Sequence, residues 1–221
     1  MDTKIPWINN SMRLIKSCPP VTIPLKFHMI WVGDKDIPEY AIVNFLNWKK
    51  MMPHWEERLW TNKDINLNEF SQEVIDKINQ AKYGAQKADI MRYYILEKYG
   101  GFYIDMDTTA LRPLDPLVYI GDELILYHDN DLTWEYIINN FIGSVPHHPV
   151  LKEACRRVMN TELNTEDVHM KTGPFLWGHV VSQVPPESGK KYTLLESTFF
   201  SKFIEYDQKF GIHQYARSWL K

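Results

Sequence analysis

Tyr99-Gly100-Gly101-Phe102-Tyr103-Ile104-Asp105-Met106-Asp107 is a stretch in which a helical run ends on two glycines and an extended run then delivers two carboxylates. Side chains alternate along an extended chain, so Phe102, Ile104 and Met106 share one side and Tyr103, Asp105 and Asp107 share the other. The apolar side faces a core, which leaves the acidic side facing a cleft. Two like charges at i and i+2 resist joint ionisation unless positive charge lies near them. A divalent ion is the simplest such partner. Hard oxygen ligands suit Mg2+ or Mn2+, ions that keep some water and bind substrate phosphates. Two solvated acids at a strand end satisfy the same pattern, so the pair alone leaves both readings open.

Working outward, the spacing of Ala88, Met91 and Ile95 predicts a helix over Ala85 to Tyr99. Asp89 and Arg92 lie at i and i+3 on its neighbouring face. Taken alone they read as a surface ion pair worth a few tenths of a kcal/mol, yet this helix leads directly into the acidic segment. Leu25 to Val32 reads as a buried central strand ending at Gly33-Asp34. Trp31 stands at its C-terminal end, where open α/β sheets bind ligands; a tryptophan there more often serves the core, and its position still makes it a candidate for stacking on a base. Pro38 to Met52 reads as a helix, Glu56 to Trp60 as a strand, and Ile65 to Lys82 as one or two helices.

Beyond the acids, Leu111 to Leu117 reads as a proline-constrained turn region and Leu124 to Tyr127 as a short strand. Trp134 to Phe141 suggests a strand or strand pair, and Pro149 to Asn160 a helix with proline at its start. Thr172-Gly173-Pro174 forms a tight loop before a helix over Leu176 to Val184, and Tyr192 to Leu195 is a further strand. Strands interleaved with helices predict an α/β fold, a single domain around a mostly parallel mixed sheet spanning 25–221. A loosely structured, proline-rich arm, 1–24, precedes it.

Composition narrows the possible partners. A chain of 221 residues with 44% apolar and 24% charged residues is long enough to bury one sizeable core. Its net charge of -3 gives no general attraction for nucleic acid or anionic lipid. Phosphate on a substrate would therefore have to be held locally. Cys18 and Cys155 lack metal-site spacing and read as reduced structural residues. No apolar run approaches the roughly 20 residues of a transmembrane helix, and no signal-peptide pattern is present. The expectation is a soluble cytoplasmic protein. Its 8 Trp, 12 Tyr and 10 Phe supply flat surfaces for cores and for stacking on bases and sugars.

A carboxylate pair, an aromatic at a strand end and an Asp/Arg pair together could hold a sugar nucleotide. Near the end of the chain, His213 offers a nitrogen ligand, and Ser218 and Trp219 offer donors to phosphate. By itself an isolated histidine is more often structural and a terminal Ser-Trp is usually packing or surface, so none of the three is singled out without context.

Three segments in order resemble a known family: Leu25-Lys26-Phe27-His28-Met29-Ile30-Trp31-Val32-Gly33, Ala88-Asp89-Ile90-Met91-Arg92-Tyr93-Tyr94-Ile95-Leu96, and Gly100 to Asp107. They resemble the glycosyltransferases with a DXD-containing sugar-binding region. That group includes yeast-type initiating mannosyltransferases and sphingolipid glycosyltransferases, with the clostridial glucosylating toxins more distant. Asn139 to Pro149, Thr172-Gly173-Pro174 and the closing His213 with Ser218-Trp219 resemble later blocks of the family. The resemblance implies a GT-A fold, a UDP- or GDP-linked sugar donor, Mn2+ or Mg2+, and retention of anomeric configuration. It implies that Trp31 stacks on the base, that Asp89 and Arg92 hold the donor sugar, and that Asp105 touches ribose and sugar hydroxyls. Asp107 and His213 would ligate the metal, Ser218 and Trp219 would contact the diphosphate, and Thr172-Gly173 would border the sugar.

The acceptor is left open among glycan, lipid and protein, and the short chain resembles bacterial or viral members. No residue stands out as a covalent nucleophile, so a same-face reaction is the expectation. An inert carbohydrate-binding protein and a metal-dependent phosphohydrolase are the rival readings; the second lacks a recognisable set of further metal ligands.

Overall fold

The computed structural model describes residues 8–9, 23–65, 69–128, 137–163, 167–187, 192–200 and 207–216. The central strand predicted from Leu25 onward is β2 (Lys26–Ile30), following a two-residue strand β1 (Ile8–Asn9). Chain order then gives α1 (Glu39–Met51), β3 (Glu56–Trp60), a single turn α2 (Asn62–Ile65), α3 (Gln72–Gln80) and α4 (Gly84–Tyr99). Next come β4 (Gly101–Ile104), β5 (Thr108–Ala110), a one-turn α5 (Asp115–Val118), β6 (Leu124–His128) and β7 (Ile137–Ser144). The remaining elements are α6 (Pro149–Asn160), α7 (Val168–Lys171), α8 (Pro174–Gln183), β8 (Tyr192–Leu195) and β9 (Gly211–His213).

Among the described residues, seven strands form one sheet in the order β1-β8-β6-β7-β4-β2-β3, and β5 pairs with β9 in a separate ribbon. β2 runs parallel to both β3 and β4, β8 runs parallel to β1 and β6, and only β7 is antiparallel to its neighbours β4 and β6. This is the expected mostly parallel mixed sheet with helices on both faces, a GT-A-like single domain. Ile8 and Asn9 pair with Tyr192 and Thr193, so the N-terminal arm contributes an edge strand where a loose segment was expected.

Alternation along the central strands builds two cores. Phe27, Met29, Phe102 and Ile104 face α1 and pack with Trp48, Met52 and Trp55. Ile30, Tyr103 and Ile142 face the other way, against Ile90, Met91, Ile95 and Leu96 of α4 and against α6 and α8. Each fully buried aliphatic of α4 contributes roughly 1.5–3 kcal/mol of burial free energy, which fixes the helix that carries Asp89 and Arg92.

Two glycine contacts set the position of α4. At its start, a Cβ on Gly84 would lie 2.4 Å from the Val32 carbonyl oxygen. Only hydrogen there lets the helix begin against the end of β2. At its end, Gly100 (φ +62°) and Gly101 (φ +87°) turn the chain into β4 in backbone regions that side chains disfavour.

Some expectations change in detail. The extended run stops at Ile104, and Asp105 to Asp107 form a turn closed by the Thr108 amide donating to the Asp105 carbonyl at 3.0 Å. The chain must leave the sheet there to enter β5. Leu111 to Leu117, expected to lack regular structure, includes most of α5. The described part of the segment from Trp134 lies in one strand, β7. Neither β5 nor β9 was anticipated: three-residue strands show no usable alternation, and their pairing spans about a hundred residues of sequence.

Candidate functional site

The acidic turn is held from below by α1. Asn44 Nδ2 donates to the Met106 carbonyl at 3.0 Å, and Trp48 Nε1 donates to the Thr108 carbonyl at 2.9 Å. The Thr109 hydroxyl closes the set on Asn44 Oδ1 at 3.1 Å. From the side, β9 pairs antiparallel with β5 so that His213 lies opposite Thr108. A residue a hundred positions away is thereby set beside Asp107.

Asp105, Asp107 and His213 converge, with one ligand atom from each lying within 4.8 Å of the others. His213 Nε2 is 3.0 Å from Asp107 Oδ1 and 3.7 Å from Asp105 Oδ2. Neighbouring ligands on an octahedral ion such as Mg2+ at roughly 2.1 Å each stand about 3 Å apart, which is the His213–Asp107 separation, and Asp105 would draw in toward His213 to complete the set. Two carboxylates and one imidazole also suit such ions chemically. The three residues form a candidate divalent-cation site.

The two acids differ in environment. Burial pushes the Asp105 carboxyl up, and Asp107 beside it adds to the rise against the opposing pull of Arg92. Burial also pushes Asp107 up, but the His213 hydrogen bond and the Ala216 amide, which donates to Oδ2 at 2.7 Å, outweigh it and hold this carboxyl below its ordinary value. Asp107 is thus the more readily charged of the pair. The Tyr103 hydroxyl donates to Asp105 Oδ1, which leaves Oδ2 toward His213.

Arg92 and Asp89 are not the surface pair that their spacing alone suggests. Arg92 Nη2 lies 3.0 Å from Asp89 Oδ1, and the two side chains are only 6% and 7% exposed. Asp89 Oδ1 also accepts from Asn139 Nδ2 at 2.9 Å, and Oδ2 accepts from the Thr172 hydroxyl at 2.9 Å. Burial pushes its carboxyl up against the pull of these three donors. The guanidinium sits over the Tyr103 ring, 4.2 Å from its centroid, donates to the Asn139 carbonyl, and reaches Asp105 Oδ1 at 3.5 Å. Burial weakens its charged form, but Tyr103, Asp89 and Asp105 more than offset this. Arg92 is therefore the cation between two carboxylates, one in the helix and one in the turn.

These groups line or back a cavity of about 570 Å³. Its wall includes Trp31, Asp89, Arg92, Asp105, Asp107 and His213. Trp31 is half-buried, and its indole Nε1 donates to the Lys35 carbonyl at 2.9 Å, which fixes the ring in the cavity wall. Thr172 is fully buried one layer behind Asp89, and Gly173 caps α8 beside it. Val168 and His169 of α7 and Pro174 at the start of α8 reach the cavity wall, and Thr172 and Gly173 between them do not line it. Ser218 and Trp219 lie outside the described residues.

Tyr93, Tyr103, Asn139 and Asn140 received no role in the sequence reading. Tyr93 donates to the Thr172 carbonyl at 2.8 Å and accepts from Asn139, tying α4, β7 and the loop before α8 together. Consecutive amides inside the apolar run Ile137 to Ile142 were the available signal, because buried polar side chains need partners.

Residues 38–124 match the family described as glycosyltransferase sugar-binding region containing DXD motif. Over 165 residues the chain is 29% identical to an uncharacterised glycosyltransferase of Acanthamoeba polyphaga mimivirus, covering 73% of this chain and 65% of that one. It is 33% identical over 141 residues to a mannosyl phosphorylinositol ceramide synthase of Saccharomyces cerevisiae, covering 62% of this chain and 35% of that one. The chain thus spans between a third and two thirds of these relatives' lengths. Among solved structures, the PaToxG glycosyltransferase superposes with a TM-score of 0.63 at 18% identity, over 75% of this chain and 71% of that one. The UDP-bound glycosyltransferase domain of the YGT toxin does so with 0.55 at 9% identity, over 79% and 80%. Both share the fold. Asp105-Met106-Asp107 lies inside the region that is similar to the glycosyltransferases with a DXD-containing sugar-binding region, and fungal mannosyltransferases are among the proteins the chain resembles.

Proposed function

We propose that the chain is a metal-dependent glycosyltransferase, which moves a hexose from a UDP- or GDP-linked donor to an acceptor hydroxyl with retention of anomeric configuration. The observation that carries this reading is the convergence of Asp105, Asp107 and His213 on one cavity that also holds Trp31 and the buried Asp89/Arg92 pair. Asp107 and His213, with Asp105, hold the cation, Mn2+ or Mg2+. When bound, that ion offsets the charge that grows on the diphosphate as the glycosidic bond breaks.

Trp31 stacks on the base. Asp105 orients ribose and sugar hydroxyls, and Asp89 and Arg92 hold the sugar, with Thr172-Gly173 behind them. Ser218 and Trp219 donate to the diphosphate. In the reaction the bond from the anomeric carbon to the diphosphate oxygen breaks, and a bond to the acceptor oxygen forms on the same face. The acceptor's proton passes to the departing diphosphate. Asp89 is a poor candidate for a covalent nucleophile, because both its oxygens accept hydrogen bonds. The fungal relatives' names make mannose the first donor sugar to try and inositol phosphoceramide the first lipid acceptor.

The test is a screen of UDP- and GDP-sugars, with and without Mn2+, reading free sugar and transferred product by mass spectrometry. Metal-dependent turnover of one donor, absent in Asp107→Asn, is the expected result. Donor binding without hydrolysis or transfer across a panel of acceptors would support an inert binding protein instead.

A further inference from the structure

Side chains alternate across β7, so its neighbouring asparagines serve opposite faces. Asn139 is tied to Asp89 and Tyr93. Asn140, 6% exposed, points the other way, and its Nδ2 lies 3.0 Å from His213 Nδ1. Its carbonyl oxygen Oδ1 is shielded from solvent and has no hydrogen-bond partner among the described residues. A buried amide oxygen left in this state is costly and uncommon. Its consequence is mechanical: on that side nothing among the described residues fixes the amide's orientation.

We propose that Asn140 is a positioning residue for the cation site, whose amide holds the His213 ring in either neutral tautomer and turns over when a cation occupies Nε2. In the arrangement described, the Asn140 N–H donates to Nδ1, so the ring hydrogen resides on Nε2 and donates to Asp107 Oδ1 at 3.0 Å. A cation requires the lone pair of Nε2. The ring hydrogen then moves to Nδ1, and Nδ1 needs an acceptor. A half-turn of the amide exchanges Nδ2 for Oδ1 at the same 3.0 Å reach. The ring stays neutral throughout, with one hydrogen leaving Nε2 and one arriving at Nδ1. The turn breaks no other hydrogen bond of Oδ1, since it has none among the described residues. The Asn140 carbonyl also accepts from the Asp105 amide at 2.9 Å, so the holder of the histidine and one acidic ligand share a backbone link.

The inference rests on Asp105, Asp107 and His213 being the cation ligands. Mn2+ alone is titrated into wild type, Asn140→Leu, Asn140→Asp and Asp107→Asn, with free Mn2+ read by electron paramagnetic resonance. Asn140→Leu, which can neither donate nor accept, is expected to weaken Mn2+ binding by roughly 10–100-fold. Asn140→Asp, which accepts from Nδ1–H, is expected to retain it or tighten it. Asn140→Leu binding as tightly as wild type, or both variants losing affinity equally, would overturn the role of Asn140 while leaving the cation site standing. Wild-type binding that Asp107→Asn leaves unchanged would instead overturn the site, and this inference with it. The wild-type protein supplies an independent readout through 15N spectra of its histidines, with the His213 signals assigned by their loss in His213→Gln. Nδ1 is expected to lack hydrogen without metal and to gain it with Zn2+, a diamagnetic stand-in; hydrogen on Nδ1 in both states would refute the turn.

Discussion

Removing the cation from the buried pair on α4 tests the electrostatics of the cavity without any knowledge of a substrate. In Arg92→Met the Asp89 carboxylate remains buried, with Asn139 and Thr172 as donors but no countercharge against Oδ1. Breaking one side of such a pair costs about 3–5 kcal/mol. The reciprocal Asp89→Leu strands a guanidinium that still has Asp105 at 3.5 Å and the Tyr103 ring at 4.2 Å, so its cost falls at the lower end of that range. Asp89→Leu/Arg92→Met removes both charges and is expected to recover most of the loss, because a buried pair replaced by apolar groups is often near neutral.

The assay is urea unfolding followed by tryptophan fluorescence. With a slope of about 2–3 kcal/mol/M, Arg92→Met lowers the midpoint by roughly 1–2 M. Its deficit also depends on pH. Burial already raises the Asp89 pKa, and loss of Arg92 raises it further, so folding favours the protonated acid. Stability of Arg92→Met relative to wild type therefore falls as pH rises above the ordinary carboxylate range, and the deficit is smaller at pH 5 than at pH 7.5. Strictly additive effects in the double variant, or an Arg92→Met midpoint equal to that of wild type, would refute the reasoning.

Three further outcomes follow from other parts of the molecule. Burial lowers the His28 pKa from 6.5 to about 4, and its neutral ring accepts from Trp60 Nε1 at 3.2 Å and donates to the Gly100 carbonyl at 3.0 Å. The unfolded chain takes up the proton first, so this residue removes up to about 3 kcal/mol of stability as pH falls from 6.5 to about 4. In His28→Gln, urea midpoints across that window are expected to lose this acid limb. Gly84→Ala places a methyl against the Val32 carbonyl; it is expected to cost about 2 kcal/mol, a drop in Tm of roughly 4–8 °C by calorimetry. Trp31→Ala is expected to weaken nucleotide binding by roughly 10–100-fold by calorimetric titration with little change in Tm, while Trp31→Phe keeps most of the affinity.

The fold was legible where sequence periodicity coincides with long elements. The helices around Ala88 and Leu151 and the strands through Phe27 and Phe102 appear at their expected positions because each fills a whole core face. Alternation also placed Tyr103 and Asp105 together, since the pleat continues as far as the Asp105 amide, which still pairs with the Asn140 carbonyl. What alternation could not supply was the turn that delivers Asp107, which depends on Asn44 and Trp48 capturing backbone carbonyls from another element. The depth of the Asp89/Arg92 pair was likewise hidden. An i, i+3 spacing looks the same on a wet helix face as beneath a sheet, and it is Asn139 of β7, Tyr103 of β4 and Thr172 before α8 that close over this pair. His213 could be named from resemblance alone, because nothing local in Gly211 to His213 announces a strand that pairs with β5.

The proposed role of Asp107 as a cation ligand is tested most directly by asking whether donor binding requires a metal. Isothermal titration of the donor identified by the hydrolysis screen, with Mn2+ and with excess EDTA, measures this in wild type and Asp107→Asn. The predicted result is binding by wild type with Mn2+, weakened at least about 100-fold by EDTA and comparably by the substitution, consistent with the several kcal/mol that a bound ion contributes at a phosphate oxygen. Equal affinity with and without metal, or an Asp107→Asn protein that binds as wild type does, would contradict it.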